Sequence, residues 1–131
     1  PAALGDDVRK HVAAIEMDGG CERPIGFGYS LPGAKDDGTD PRYERDHRLL
    51  GEIAALLAGI EATKVERGGG GVDIGPLMKD GVPGFSIETV GEHYFDWHHT
   101  NADTLDKVDP ADLRKATAML ALMGFALGGG R

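Results

Sequence analysis

Apolar residues recur at helical spacing between positions 42 and 60, where Leu49, Leu50, Ile53, Leu56, Leu57 and Ile60 face away from Glu44, Arg45, Arg48 and Glu52. This spacing predicts the clearest helix of the chain over 42–60, with Gly59 helping to stop it and His47 on its surface. A second helix is predicted after Asp109, with Asp109 as N-cap, Pro110 at the first helical position and Asp112 in the first turn. Its broad apolar face comprises Leu113, Ala116, Met119, Leu120, Met123 and Leu127, so the methionines belong to the core. Shorter stretches have the two-residue alternation of strands. Residues 11–17 run through Val12, Ala13, Ala14, Ile15 and Met17 into Asp18-Gly19-Gly20, as a buried strand entering a glycine turn. Residues 61–67 alternate weakly, and residues 84–89 (GFSIET) alternate clearly after Pro83. Gly5–Lys10 has the acidic-then-basic order of a helix end. Residues 21–41, rich in Gly, Pro and Asp, are expected to form a loop anchored by Phe27 and Tyr29. Strand, helix, strand, short helix, strand, helix is the order of an α/β fold, part of a three-layer α/β/α sandwich with a mixed sheet.

Composition narrows the function classes. The 131 residues, 40% hydrophobic and 27% charged, suit one domain with a real core. A formal net charge of −8 argues against nucleic-acid and anionic-membrane partners, which want an excess of Lys and Arg. No apolar run is long enough for a membrane span. Cys21 is the only cysteine, which excludes an internal disulfide and a cysteine-based zinc site, and it reads as a packed or incidental thiol. Pro1 as first residue suggests a cut piece of something longer.

The candidate chemistry concentrates in residues 94–110, YFDWHHTNADTLDKVDP, where an imidazole pair and several carboxylates share one short polar stretch. A neutral imidazole can take a metal while nearby hydroxyls and carboxylates fix its tautomer and orientation. Asp18, at the carboxyl end of a predicted strand, sits where open α/β sheets usually bind ligands, although a turn-forming aspartate before glycine is the plainer local reading. The glycine run at 68–71 is either a flexible connector or a place of close backbone approach. No Gly-Lys-Ser/Thr follows it, so it is not a phosphate loop. Asp73 is suited to cap the short helix through Leu77-Met78.

Three of these segments, IEMDGG at 15–20, GGGGVDIGPL at 68–77 and HHTNADTLDKVDP at 98–110, occur in an order that resembles the C-terminal half of co-catalytic zinc exopeptidases. These are the aminopeptidase and glutamate-carboxypeptidase-like enzymes of metallopeptidase family twenty-eight. The resemblance implies that residues 1–131 are the C-terminal portion of a single zinc-peptidase catalytic domain, an incomplete zinc-exopeptidase-like fold. It implies a peptide substrate, and two zinc ions in the complete enzyme that activate a bridging water. It implies Asp18 as ligand of one zinc and His99 as ligand of the other, with His98 a neighbour. Asp103 is expected to support the metal ligands from behind, against the alternative that it only organises its loop, and Gly70, Gly71 and Asp73 are candidates to line the substrate pocket. A secreted or periplasmic location is suggested on the same ground alone.

The departures from the family pattern are equally specific. No His-x-Asp pair, bridging aspartate or Glu-Glu pair is present, and GAKDDGT at 33–39 stands in the wrong order to supply one, so Asp36 and Asp37 read as solvated turn residues. The general-base glutamate is therefore expected upstream, and the piece alone is expected neither to hydrolyse peptides nor to hold zinc tightly. An unpaired sheet edge would favour dimers or aggregates. His11 and His93 are expected to be structural or exposed, and Phe95 and Trp97 to pack under the loop. The competing function is a non-catalytic relative serving as a receptor or interaction domain.

Overall fold

The computed structural model describes residues 5–19, 22–34 and 39–129. The expectations for Cys21, Asp36 and Asp37 fall outside these residues. Strands β1 (Ala14–Glu16), β2 (Pro24–Ser30), β3 (Lys64–Arg67) and β4 (Gly84–Thr89) form one mixed sheet in the order β1-β4-β2-β3. β1 runs parallel to β4, β4 antiparallel to β2, and β2 parallel to β3. Helices α1 (Arg42–Ala55), α2 (Gly75–Lys79), α3 (Tyr94–Trp97) and α4 (Pro110–Leu127), with 3₁₀ turns at Gly5–Lys10, Ala58–Ile60 and Leu105–Lys107, complete the chain. The expected α/β class is observed. Among the described residues no helix is long and apolar enough to cross a membrane.

Register decides which side chains share a face. Ile15 lies opposite Phe85, Phe85 opposite Tyr29, Phe27 opposite Ile87 and Val65, so these residues point to one side of the sheet. There they meet Tyr43, Leu50, Ala54 and Leu57 from α1 and the turn after it, and Met119 and Met123 from α4, in a single core. On the other side Ala14 and Val82 pack with Val8, Ile74 and Leu77, which brings the first 3₁₀ turn and α2 over β1 and β4. Helix, sheet and helix are thus the three layers.

One expectation is overturned. Residues 24–30 are not a loop but the inner strand β2, and its Phe27 and Tyr29 are completely buried. Ile25, Phe27 and Tyr29 do alternate, but the intervening Gly26 and Gly28 and the leading Pro24 look like loop composition. Those glycines answer to packing. A Cβ at Gly28 would lie 2.2 Å from the carbonyl oxygen of Gly68, because the glycine run crosses the sheet there. That run is anchored as well: the Gly68 amide donates to the Tyr29 carbonyl at 2.9 Å and the Gly69 amide to Ser30 Oγ at 3.0 Å. It is therefore no loose connector.

The helical stripes are narrower than the spacing suggested. In α1 the buried positions are Tyr43, Leu50 and Ala54, followed by Leu57, while Leu49 and Leu56 are 56% and 68% exposed. The helix stops at Ala55, and a 3₁₀ turn ends at Glu61 in left-handed conformation (φ 61°). In α4 Ala116, Met119 and Met123 are buried, but Leu113 is 43% exposed. The start of α4 is as expected: Asp109 accepts hydrogen bonds from the amides of Ala111 and Asp112, at 2.6 and 3.1 Å, with Pro110 next.

Candidate active-site cleft

β1 ends at Glu16, and β4 ends at Thr89, so both chains leave the sheet at the same end. The segments that follow are zipped together. Thr89 Oγ1 donates to the Gly19 carbonyl at 3.3 Å, and the Val90 amide donates to the Arg23 carbonyl at 3.1 Å. The amides of Glu92 and His93 donate to the Glu22 carboxylate at 2.7 and 2.8 Å. This pairing sets the turn after β1 beside α3.

Between them lies a cleft of about 170 Å³. One wall is Asp18, Gly19 and Glu22; the other is Tyr94, Trp97, His98 and His99, with Asp103, Lys107 and Val108 closing it. Asp18 and His99 therefore reach one cleft from opposite ends of the chain. Asp103 joins them there. Gly70, Gly71 and Asp73 do not line this cleft; Gly71 and Asp73 lie against Glu16, and Gly70 against Met78 and Ile74.

The two histidines differ. His98 is half-buried, its ring stacked on Tyr94 at 4.3 Å with Nε2 within 3.3 Å of the Tyr94 hydroxyl. His99 is exposed, stacked on His98 at 3.8 Å, and held at φ 58°. A left-handed backbone at a non-glycine residue costs about 1–3 kcal/mol, and such strain concentrates at working sites. The loop beyond is organised by threonines: Thr100 Oγ1 donates to the Trp97 carbonyl at 2.7 Å and accepts from the Ala102 amide at 3.2 Å.

Charge pairs flank the cleft at Lys107–Asp106 and His93–Asp96. Lys107 contacts Asp106 and lies 5.9 Å from the centre of the Trp97 ring. Lys107 and Thr104 hold the Asp106 carboxyl down to about 2. His93 is exposed and bonded to Asp96 at 2.8 Å, which raises its pKa; His11 is exposed too. Phe95 does not pack under the loop: it is 86% exposed, and its neighbour Trp97 alone is half-buried. Residues two apart in a helix point to nearly opposite sides, so Phe95 and Trp97 cannot both face inward.

Asp73 does not cap α2. Its side chain makes no capping bond; instead the amides of Asp73 and Ile74 both donate to Glu16 Oε2 at 3.1 Å. Glu16, Glu22, Tyr94 and Lys107 are the residues that sequence reasoning missed. Nothing local marks the two glutamates, whose partners lie 57 to 71 positions away. Tyr94 had a weak signal, four residues before His98 and so on the same helical face.

Among the described residues no group of three or more His, Cys, Asp or Glu side chains is placed to hold a metal ion. A zinc site takes three or four protein ligands, so Asp18 and His99 would be part of such a site and not the whole of it.

No protein-family model and no solved structure matches the chain. Curated relatives do. The chain is 34% identical to carboxypeptidase Q of Bos taurus over 102 residues, covering 77% of this chain and 21% of that protein. It is 28% identical to carboxypeptidase Q of Mus musculus and 26% identical to that of Homo sapiens, each over 121 residues, 92% of this chain and 23% of theirs. The chain thus spans between 21% and 23% of the length of these relatives, and over most of its own length it is similar to one segment of a carboxypeptidase.

Proposed function

We propose that the protein containing this segment is a metal-dependent exopeptidase, and that the segment contributes Asp18 and His99 to its metal centre. The observation that carries this reading is the convergence of Asp18, His99 and Asp103 on one cleft at the end of the sheet. The likeness to carboxypeptidase Q supports the reaction class. Zinc suits an imidazole and a carboxylate, and a two-zinc centre would activate water and polarise the scissile carbonyl. The remaining ligands and the general base lie elsewhere in the longer protein, so residues 1–131 alone are inactive. Peptides are the substrates. Among the described residues the sheet ends in β1 and β3, both short, and β3 carries Lys64, Glu66 and Arg67, with Lys64 bonded to Glu66 at 2.8 Å, charges that resist edge pairing. Self-association of the isolated segment therefore runs through the β1 edge.

The test is metal content and dipeptide hydrolysis by the full-length protein, before and after chelation. About two zinc ions per chain, with activity lost on chelation and restored by zinc, is the expected result. A full-length protein that binds no zinc and cleaves no peptide contradicts it.

A further inference from the structure

We propose that Glu22 is the positioning residue that holds the His98–His99 wall of the cleft against Asp18. α3 is a single turn of four residues, and its N-cap His93 makes no side-chain capping bond. The first amides of a helix have no partner within it. Here Glu22, from the segment after β1, holds the two amides that lead into α3, the N-cap His93 and Glu92 before it: Oε2 accepts from the Glu92 amide at 2.7 Å and Oε1 from the His93 amide at 2.8 Å. Two bonds from one rigid carboxylate fix direction as well as distance, and each is stronger than a neutral hydrogen bond. Glu22 itself lines the cleft with Asp18. One side chain therefore ties the turn that carries Asp18 to the helix that leads into His98 and His99. Cutting the tie leaves the Thr89–Gly19 and Val90–Arg23 bonds at the end of the sheet but frees α3 to shift against Asp18.

The consequence for metal rests on the peptidase reading; the tie does not. The experiment compares full-length protein with its Glu22→Ala and Glu22→Gln variants, by amide hydrogen exchange and by zinc titration. In Glu22→Ala, exchange at Glu92 and His93 is expected to rise at least tenfold, with zinc affinity falling by about tenfold or more. Glu22→Gln keeps one acceptor oxygen and falls between. Wild-type exchange at both amides in Glu22→Ala overturns the proposal, as does faster exchange spread equally over β4 and α4, which marks general destabilisation. Selective faster exchange with unchanged zinc affinity also overturns it. If the unmodified protein takes up no zinc, the peptidase reading fails, and exchange at the two amides alone decides whether Glu22 ties the walls.

Discussion

Glu16 and Gly71 meet so closely that a Cβ on Gly71 would lie 2.0 Å from Glu16 Oε1. The contact exists because the Glu16 carboxylate, almost fully buried, takes the amides of Asp73 and Ile74 at the entrance to α2. Removing it strands two amides, each costing about 1–3 kcal/mol if left without a partner. Glu16→Ala should lower stability by roughly 2 kcal/mol or more on that ground, and Gly71→Ala should also destabilise by driving the carboxylate away. Urea unfolding of both variants checks this; wild-type midpoints for both would show that the contact carries no weight.

Two buried tyrosines make a contrasting pair. The Tyr29 hydroxyl donates to the Tyr43 carbonyl at 3.2 Å, whereas the Tyr43 hydroxyl is buried with no hydrogen-bond partner among the described residues. Tyr29→Phe should cost about 1 kcal/mol, and Tyr43→Phe should cost nothing or stabilise. Burial also pushes the Tyr29 phenol above its usual 10.0, a rise partly offset by Arg67. Because the folded value is raised, this contribution is full below pH 10 and is lost as pH rises through the folded value. Stability measured across the alkaline range should fall less steeply in Tyr29→Phe than in the unmodified chain.

His93 offers a titration that can be followed directly. Its hydrogen bond to Asp96 raises its pKa above 6.5, with Glu22 and Glu92 adding to the effect. The charged form is favoured in the fold, so the interaction is complete below pH 6.5 and fades as pH rises through the raised value. Imidazole proton shifts should show a midpoint above 6.5 that moves down in Asp96→Asn. An unmoved midpoint would mean that Asp96 is not the cause.

How much of this was legible in the sequence depends on the reach of each interaction. Gly84–Thr89 and the Asp109-Pro110 helix start were readable because alternation and capping are local. β2 was hidden because its glycines and proline imitate a loop, and only the strand and glycine run packed against it explain them. Leu49 and Leu56 misled because helical spacing shows which residues share a face but not where the neighbouring sheet stops. Asp18 and His99 could be named from their short motifs. That they share a cleft depends on Glu22 and Thr89, whose bonds join segments some 70 positions apart.

The central claim is that Asp18 and His99, and not His98, serve the metal centre. It is tested most directly by zinc stoichiometry in full-length Asp18→Asn, His99→Ala and His98→Ala proteins side by side. Loss of zinc in the first two, with retention in His98→Ala, is the predicted result. Full zinc in His99→Ala with loss in His98→Ala, or no zinc even in the unmodified protein, would contradict it, and the last would leave a peptidase-like interaction domain as the reading of this cleft.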